Sequence, residues 1–157
     1  GRMVAVPRGA EPQVSPAGCE LFLSQGAASQ KGLAMRSSKN AAIGVAVSVT
    51  EHRPNLVELV DQCRTFTYEG PDARSVVTLG PLNIGDLPDG AIATLMHCTT
   101  TRPGQTLAWD IALVAGFHRG VLVSAEYTPG PQGGPFDARL AAGLVDVYRA
   151  QIIGLDR

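Results

Sequence analysis

Charge is scarce in this chain. Asp, Glu, Lys and Arg make up 17% of its 157 residues, below the ~25% of an ordinary soluble domain, and 13 basic against 14 acidic side chains leave a formal net charge of -1. There is no run of Lys or Arg, so the electrostatic grip on a phosphate backbone is missing and nucleic acid is not an expected partner. No apolar stretch approaches the ~20 residues of a membrane-spanning helix. The three cysteines and His52, His97 and His118 contain no C-x2-C or H-x3-H pair, the spacings that bring metal ligands onto one knuckle or helical turn. The Gly- and Pro-rich segment Pro129 to Pro135 lacks the lysine and the strand-to-helix setting of a phosphate cradle and reads as a connector. Asp86, Asp89, Asp110, Glu126 and Asp137 fall in turns, strands and caps rather than as an acid–base pair, and no G-x-S-x-G elbow presents a serine. These absences argue against an enzyme, a cofactor and a metal.

Apolar residues, by contrast, reach 45%, and the length suits one domain that buries about two thirds of its unfolded surface. Residues 1–14 carry mixed charge and little periodicity and read as an arm or the end of a tether; the domain is expected to span 15–157. Ser15-Pro16 offers an N-cap and a first-turn proline for a short helix stopped at Gly26, with Cys19, Phe22 and Leu23 on one face. Leu33 to Arg36 and Ala41 to Thr50 are strand candidates, the second with Ile43, Val45, Val47 and Val49 alternating against smaller residues. Pro54 opens a helix in which Leu56, Leu59, Val60 and Cys63 repeat at helical spacing. Further strands follow at Arg64 to Tyr68, Ser75 to Leu79 and Ala91 to Thr101. The clearest has Leu107, Trp109, Ile111, Leu113, Ala115 and Phe117 at alternate positions. A tight reversal at His118-Arg119-Gly120 leads into Val121 to Thr128. A long helix from about Asp137 to Ile153, striped by Leu140, Leu144, Tyr148 and Ile152, closes the chain. The expected fold is α+β, a single antiparallel sheet of five to seven strands covered by helices.

Cys19 and Cys63 each lie on the apolar face of a short predicted helix, a placement that suggests a structural disulfide and an oxidising compartment. Reduced core thiols or another pairing are the alternatives, since free cysteine is itself a common core residue. Cys98 is left over. Its neighbour His97 projects from the opposite side of the same strand, so adjacency in sequence does not make a thiol–imidazole pair. Met96, Trp109, Leu113, Phe117 and Tyr127 are the candidate ligand-lining residues, because Trp109 and Tyr127 combine apolar bodies with polar tips on consecutive strands. Core packing is the plain alternative.

Pro16-Ala-Gly-Cys19 at a first helix, a second helix ending Asp61-Gln-Cys63 and running into Thr65-Phe66, a meander and a closing amphipathic helix resemble the small secreted lipoproteins of mycobacteria and other actinobacteria. More distantly, the arrangement is similar to the extracellular sensor domains of their receptor Ser/Thr kinases. The resemblance covers roughly Val14 to Arg157. It implies helices and a curved sheet around a cleft, an envelope location, and binding rather than catalysis. Those sensor domains are expected to carry two disulfides, from which an unpaired Cys98 departs. The expectation is therefore a non-enzymatic domain of the cell envelope, secreted or lipid-anchored, that binds an apolar or amphipathic molecule or senses envelope components. A protein-binding module working through a sheet face or edge, and a hydrolase or transferase using Cys98 or a serine, are the rivals.

Overall fold

The computed structural model describes residues 13–22, 29–37, 41–49, 53–129 and 136–156, with the backbone alone for 29–37 and 41–42. In chain order the strands are β1 (Gln13–Ser15), β2 (Ser29–Ser37), β3 (Ala41–Val49), β4 (Thr65–Glu69), β5 (Arg74–Pro81), β6 (Ile92–Arg102), β7 (Gln105–His118) and β8 (Val121–Pro129). A single 3₁₀ turn, Cys19–Phe22, lies between β1 and β2, α1 (Leu56–Gln62) between β3 and β4, and α2 (Ala138–Ala142) and α3 (Leu144–Leu155) close the chain.

All strands join one antiparallel sheet in the order β1-β4-β5-β6-β7-β8-β3-β2. Seven are of ordinary length and the three-residue β1 extends the edge. The meander from β4 to β8 is joined by short turns except for the ten-residue loop between β5 and β6. Arg119 and Gly120 both take positive φ (50° and 84°) and close a two-residue hairpin that pairs His118 with Val121, the geometry of a type I′ turn.

Because paired residues of an antiparallel ladder share a face, the register sorts the side chains into two layers. One face carries Phe66, Val77, Leu79, Ile92, Met96, Cys98, Leu113, Ala115 and Leu122 and is covered by the 3₁₀ turn and α1. The other carries Ala112, Val114, Val123, Ala125 and Tyr127 and is covered by α2, α3 and Ile84 of the loop after β5. The sheet is thus the middle of three layers. Three buried hydroxyls are paired: Ser75 Oγ lies 2.7 Å from Thr100 Oγ1, and Thr94 Oγ1 donates to the Gly80 carbonyl (3.0 Å), which offsets the cost of burying them.

Several sequence expectations are corrected. Ser15 does not cap a helix; it pairs with Thr67 in β1, two residues after the ladder begins at Gln13. The helix expected as far as Gly26 is a 3₁₀ turn over Cys19–Phe22, and Leu23 and Gly26 lie outside the described residues, as do residues 1–12, His52 and 130–135. In β3 the small residues Gly44, Ala46 and Ser48 are buried more fully than Ile43 and Val45, because β3 lies inside the sheet with both faces covered. The closing helix breaks at Gly143, whose amide bonds back to the Arg139 carbonyl (3.1 Å). Ala141 and Val145 join Leu144 and Tyr148 in the core, while Leu140, counted on the sequence stripe, is exposed. A glycine is the weakest ordinary helix former, and the break falls there.

Candidate functional site

The sheet face under α1 carries four of the five candidate ligand-lining residues, Met96, Trp109, Leu113 and Phe117. The cover over it is small, one 3₁₀ turn and a seven-residue helix. Helices this short do not hold themselves in water. Asn55 caps α1, its side-chain oxygen accepting from the Glu58 amide (3.1 Å), and the buried disulfide Cys19–Cys63 ties the two pieces together across 44 residues of sequence, with Cα atoms 5.7 Å apart. Both cysteines have no exposed surface. The disulfide therefore sits inside the cluster that joins cover to sheet, beside Phe22 and Phe66, whose rings are 6.1 Å apart.

Between this cover and the sheet runs a narrow crevice. Its roof is Leu21, Phe22 and Leu56; its floor is Ile92, Leu113, Ala115 and Leu122; Ser124 and Glu126 on β8 form a polar wall. The interior volume is about 20 Å³, the room of a single water molecule. A larger guest has to lift the roof, whose Leu21 and Phe22 sit on the 3₁₀ turn anchored through Cys19.

The five candidate ligand-lining residues are not brought together. Met96, Trp109, Leu113 and Phe117 lie on the α1 face, but Tyr127 pairs with Ala112 and so points to the opposite face. There its hydroxyl accepts the Asp137 amide (3.0 Å) and its ring packs on Phe136 (5.3 Å), which fixes the start of α2. Of the five, only Leu113 lines the crevice. Met96 is buried in the core, while Trp109, partly buried, pairs with Cys98. The signal that would have found Leu122, Ser124 and Glu126 was in the sequence. A two-residue turn at Arg119-Gly120 sets odd positions of β7 opposite even positions of β8, so Leu113 and Ala115 share a face with Glu126 and Ser124.

Cys98 is 3% exposed, and burial, reinforced by the charges of Asp110 and Glu126, pushes its thiol up to about 11. Such a group stays protonated at neutral pH and is a poor nucleophile. His97 is on the other face, hydrogen-bonded through Nδ1 to Asp110 (2.7 Å). The His118 ring Nε2 meets Asp156 Oδ1 at 2.8 Å, and Arg119 Nε lies 3.1 Å from the same oxygen, so that imidazole ties the β7–β8 turn to the end of α3. Among the described residues no group of three or more His, Cys, Asp or Glu is placed to hold a metal ion, and no helix is long and apolar enough to cross a membrane.

The architecture defined above is an α+β domain with one antiparallel sheet between a disulfide-stapled cover and a helical layer. No protein-family model matches the chain, and no curated protein matches it. Among solved structures it is similar to an uncharacterized protein of Mycobacterium smegmatis, the Rv0999 ortholog, with 17% sequence identity over 94% of this chain and 78% of the other and a TM-score of 0.53. At that identity the likeness establishes a shared fold with a mycobacterial protein.

Proposed function

We propose that this chain is a non-enzymatic, extracytoplasmic domain of the cell envelope, secreted or lipid-anchored in its native setting, that takes an apolar or amphipathic molecule under its stapled cover. The observation that carries the reading is the crevice. It has apolar walls from both the cover and the sheet, a polar edge at Ser124 and Glu126, and a roof small enough to move, which is the composition of a site for a molecule with an apolar body and few polar anchors. The buried disulfide supports an oxidising compartment. The likeness to small secreted actinobacterial lipoproteins and, more distantly, to receptor-kinase sensor domains supports an envelope role; the mycobacterial structural neighbour is uncharacterized and bears on the fold alone.

The test is titration of the folded protein with a fluorescent long-chain fatty acid and with a lysophospholipid, followed by probe emission, Trp109 fluorescence and melting temperature. Saturable binding that Ser124→Leu abolishes, with the variant still folded, is the expected result. Absence of saturable binding to either probe sinks the small-ligand reading. Independently, alkylation without reductant of protein unfolded directly from its native cells should modify one thiol of the three; three modified thiols would remove the compartment argument.

A further inference from the structure

The β6–β7 hairpin outruns the sheet on one side. On its β6 side it is paired as far as Thr101, which faces Arg74 of β5. On its β7 side the ladder to β8 begins only at Ala112, opposite Tyr127. Residues Gln105 to Ile111 of β7 therefore have β6 on one edge and, among the described residues, no strand on the other. Beyond Tyr127, β8 stays with β3, pairing Thr128 with Ala42 and Pro129 with Ala41. Its last link to β7 is a side chain, the Thr128 hydroxyl donating to the Asp110 carbonyl (3.1 Å).

That link fixes the polarity of the open edge. The Asp110 carbonyl points toward it, and in an antiparallel strand the amides and carbonyls of alternate residues point the same way, so those of Ala108 and Thr106 do as well. Residues 105–108 are exposed, Leu107 at 43%. Trp109 and Ile111 are half-buried beside it on the same face. The usual protections of a sheet edge are missing: between Gln105 and Ile111 there is no proline, no lysine and no bulge. The charge that is there, on Asp110, is already taken up by His97.

We propose that this edge pairs with the same edge of a second copy of the chain, antiparallel about a two-fold axis through Ala108. The segment is self-complementary in that register. Ala108 faces its own counterpart and exchanges both backbone hydrogen bonds with it, while Thr106 faces Asp110 of the second copy and no like charges meet. On the α1 face Leu107 lies across from Trp109 of the second copy, an aliphatic–aromatic pair of the kind that stabilises strand pairing. The contact uses the same patch on both partners and closes on itself, as a two-fold interface must. It leaves the crevice untouched, so it stands or falls independently of the ligand reading.

Sedimentation equilibrium of the whole chain over a range of concentrations tests it. The expected mass rises from 16.4 kDa toward about twice that value. Ala108→Pro removes an amide that points only at the open edge, a position where a strand tolerates proline, and should weaken association by about tenfold or more at unchanged melting temperature. Leu107→Glu, which keeps the backbone, should do the same, and Val57→Glu on exposed α1 should not. A wild-type chain that stays at 16.4 kDa up to its solubility limit overturns the proposal. So does a dimer that survives Leu107→Glu, whatever the fate of the proline variant. Recruitment of an extended segment of a different protein to the edge of such a monomer would identify the other kind of occupant.

Discussion

The two faces of the sheet are covered by opposite strategies. On one, α3 is a twelve-residue helix with Leu144, Val145 and Tyr148 buried, preceded by α2 with a well-made cap: Asp137 Oδ1 accepts from the amides of Arg139 (2.8 Å) and Leu140 (3.4 Å). On the other, the cover is a 3₁₀ turn and a seven-residue helix, with Cys19, Phe22, Leu56, Leu59 and Cys63 as the buried members. The contrast shows where a covalent bond is needed. A continuous helix of three turns is ordered as one unit by its apolar contacts, while two short pieces, 44 residues apart at their cysteines, must each be ordered separately and are held by a cross-link that limits the unfolded chain.

Breaking the staple should have the largest effect. For a closed loop of 44 residues the chain-entropy model gives about 4 kcal/mol, a large share of a typical domain's ~5–15 kcal/mol. Cys19→Ser with Cys63→Ser should lower the melting temperature by roughly 10 °C or more, and hydrogen exchange should show α1 opening well before α3. Equal exchange in the two layers would mean that the contrast is false.

The α3 side has its own critical point. Gly116 has no side chain where the Tyr148 hydroxyl sits: a Cβ there would fall inside the hydroxyl's contact shell and 3.3 Å from Ala91. Gly116→Ala should cost about 1–3 kcal/mol by overpacking, read as a shift of the denaturation midpoint. Adding Tyr148→Phe should restore much of the loss. A neutral Gly116→Ala would show that α3 rides loosely over the sheet.

The smallest effect belongs to the end of α3. Asp156 places a carboxylate at the negative end of a helix dipole. The His118 hydrogen bond, aided by the charges of Arg119 and His118, holds its pKa below the ordinary 3.8. A depressed folded pKa means that the contact stabilises fully above the unfolded value and is lost as pH falls through the folded one. Asp156→Asn should therefore melt slightly lower than wild type above about pH 5, and the two curves should converge in stronger acid. A gap that widens on acidification would reverse the assignment.

Much of this was legible in the sequence. The alternation from Leu107 to Phe117 gives β7, the spacing of Leu56, Leu59 and Cys63 gives α1, and two cysteines on apolar helix faces give the staple, because side-chain period is a local property of the backbone. Tyr127 was misplaced although the turn at Arg119-Gly120 carried the answer: strand period was read within each strand, and the parity between strands was not. The buried face of β3 could not be read that way, since an interior strand with both faces covered has no polar side to betray its orientation. The crevice was equally hidden. Leu21, Phe22 and Leu56 meet Leu113, Ser124 and Glu126 only because α1 carries the chain across the sheet between β3 and β4.

By itself, the order of residues determined most of the segments that become strands, where the closest hairpins turn and which cysteines face inward. All of these rest on short-range periodicity, turn chemistry and composition. Tertiary structure alone decided that β8 leaves β7 at Ala112 to follow β3, that a roofed crevice results and, among the described residues, one edge of β7 has no strand beside it, and which candidate side chains meet. Those outcomes depend on strand order and register over long sequence separations, where the free energy of the whole sheet, rather than any local preference, selects the neighbours.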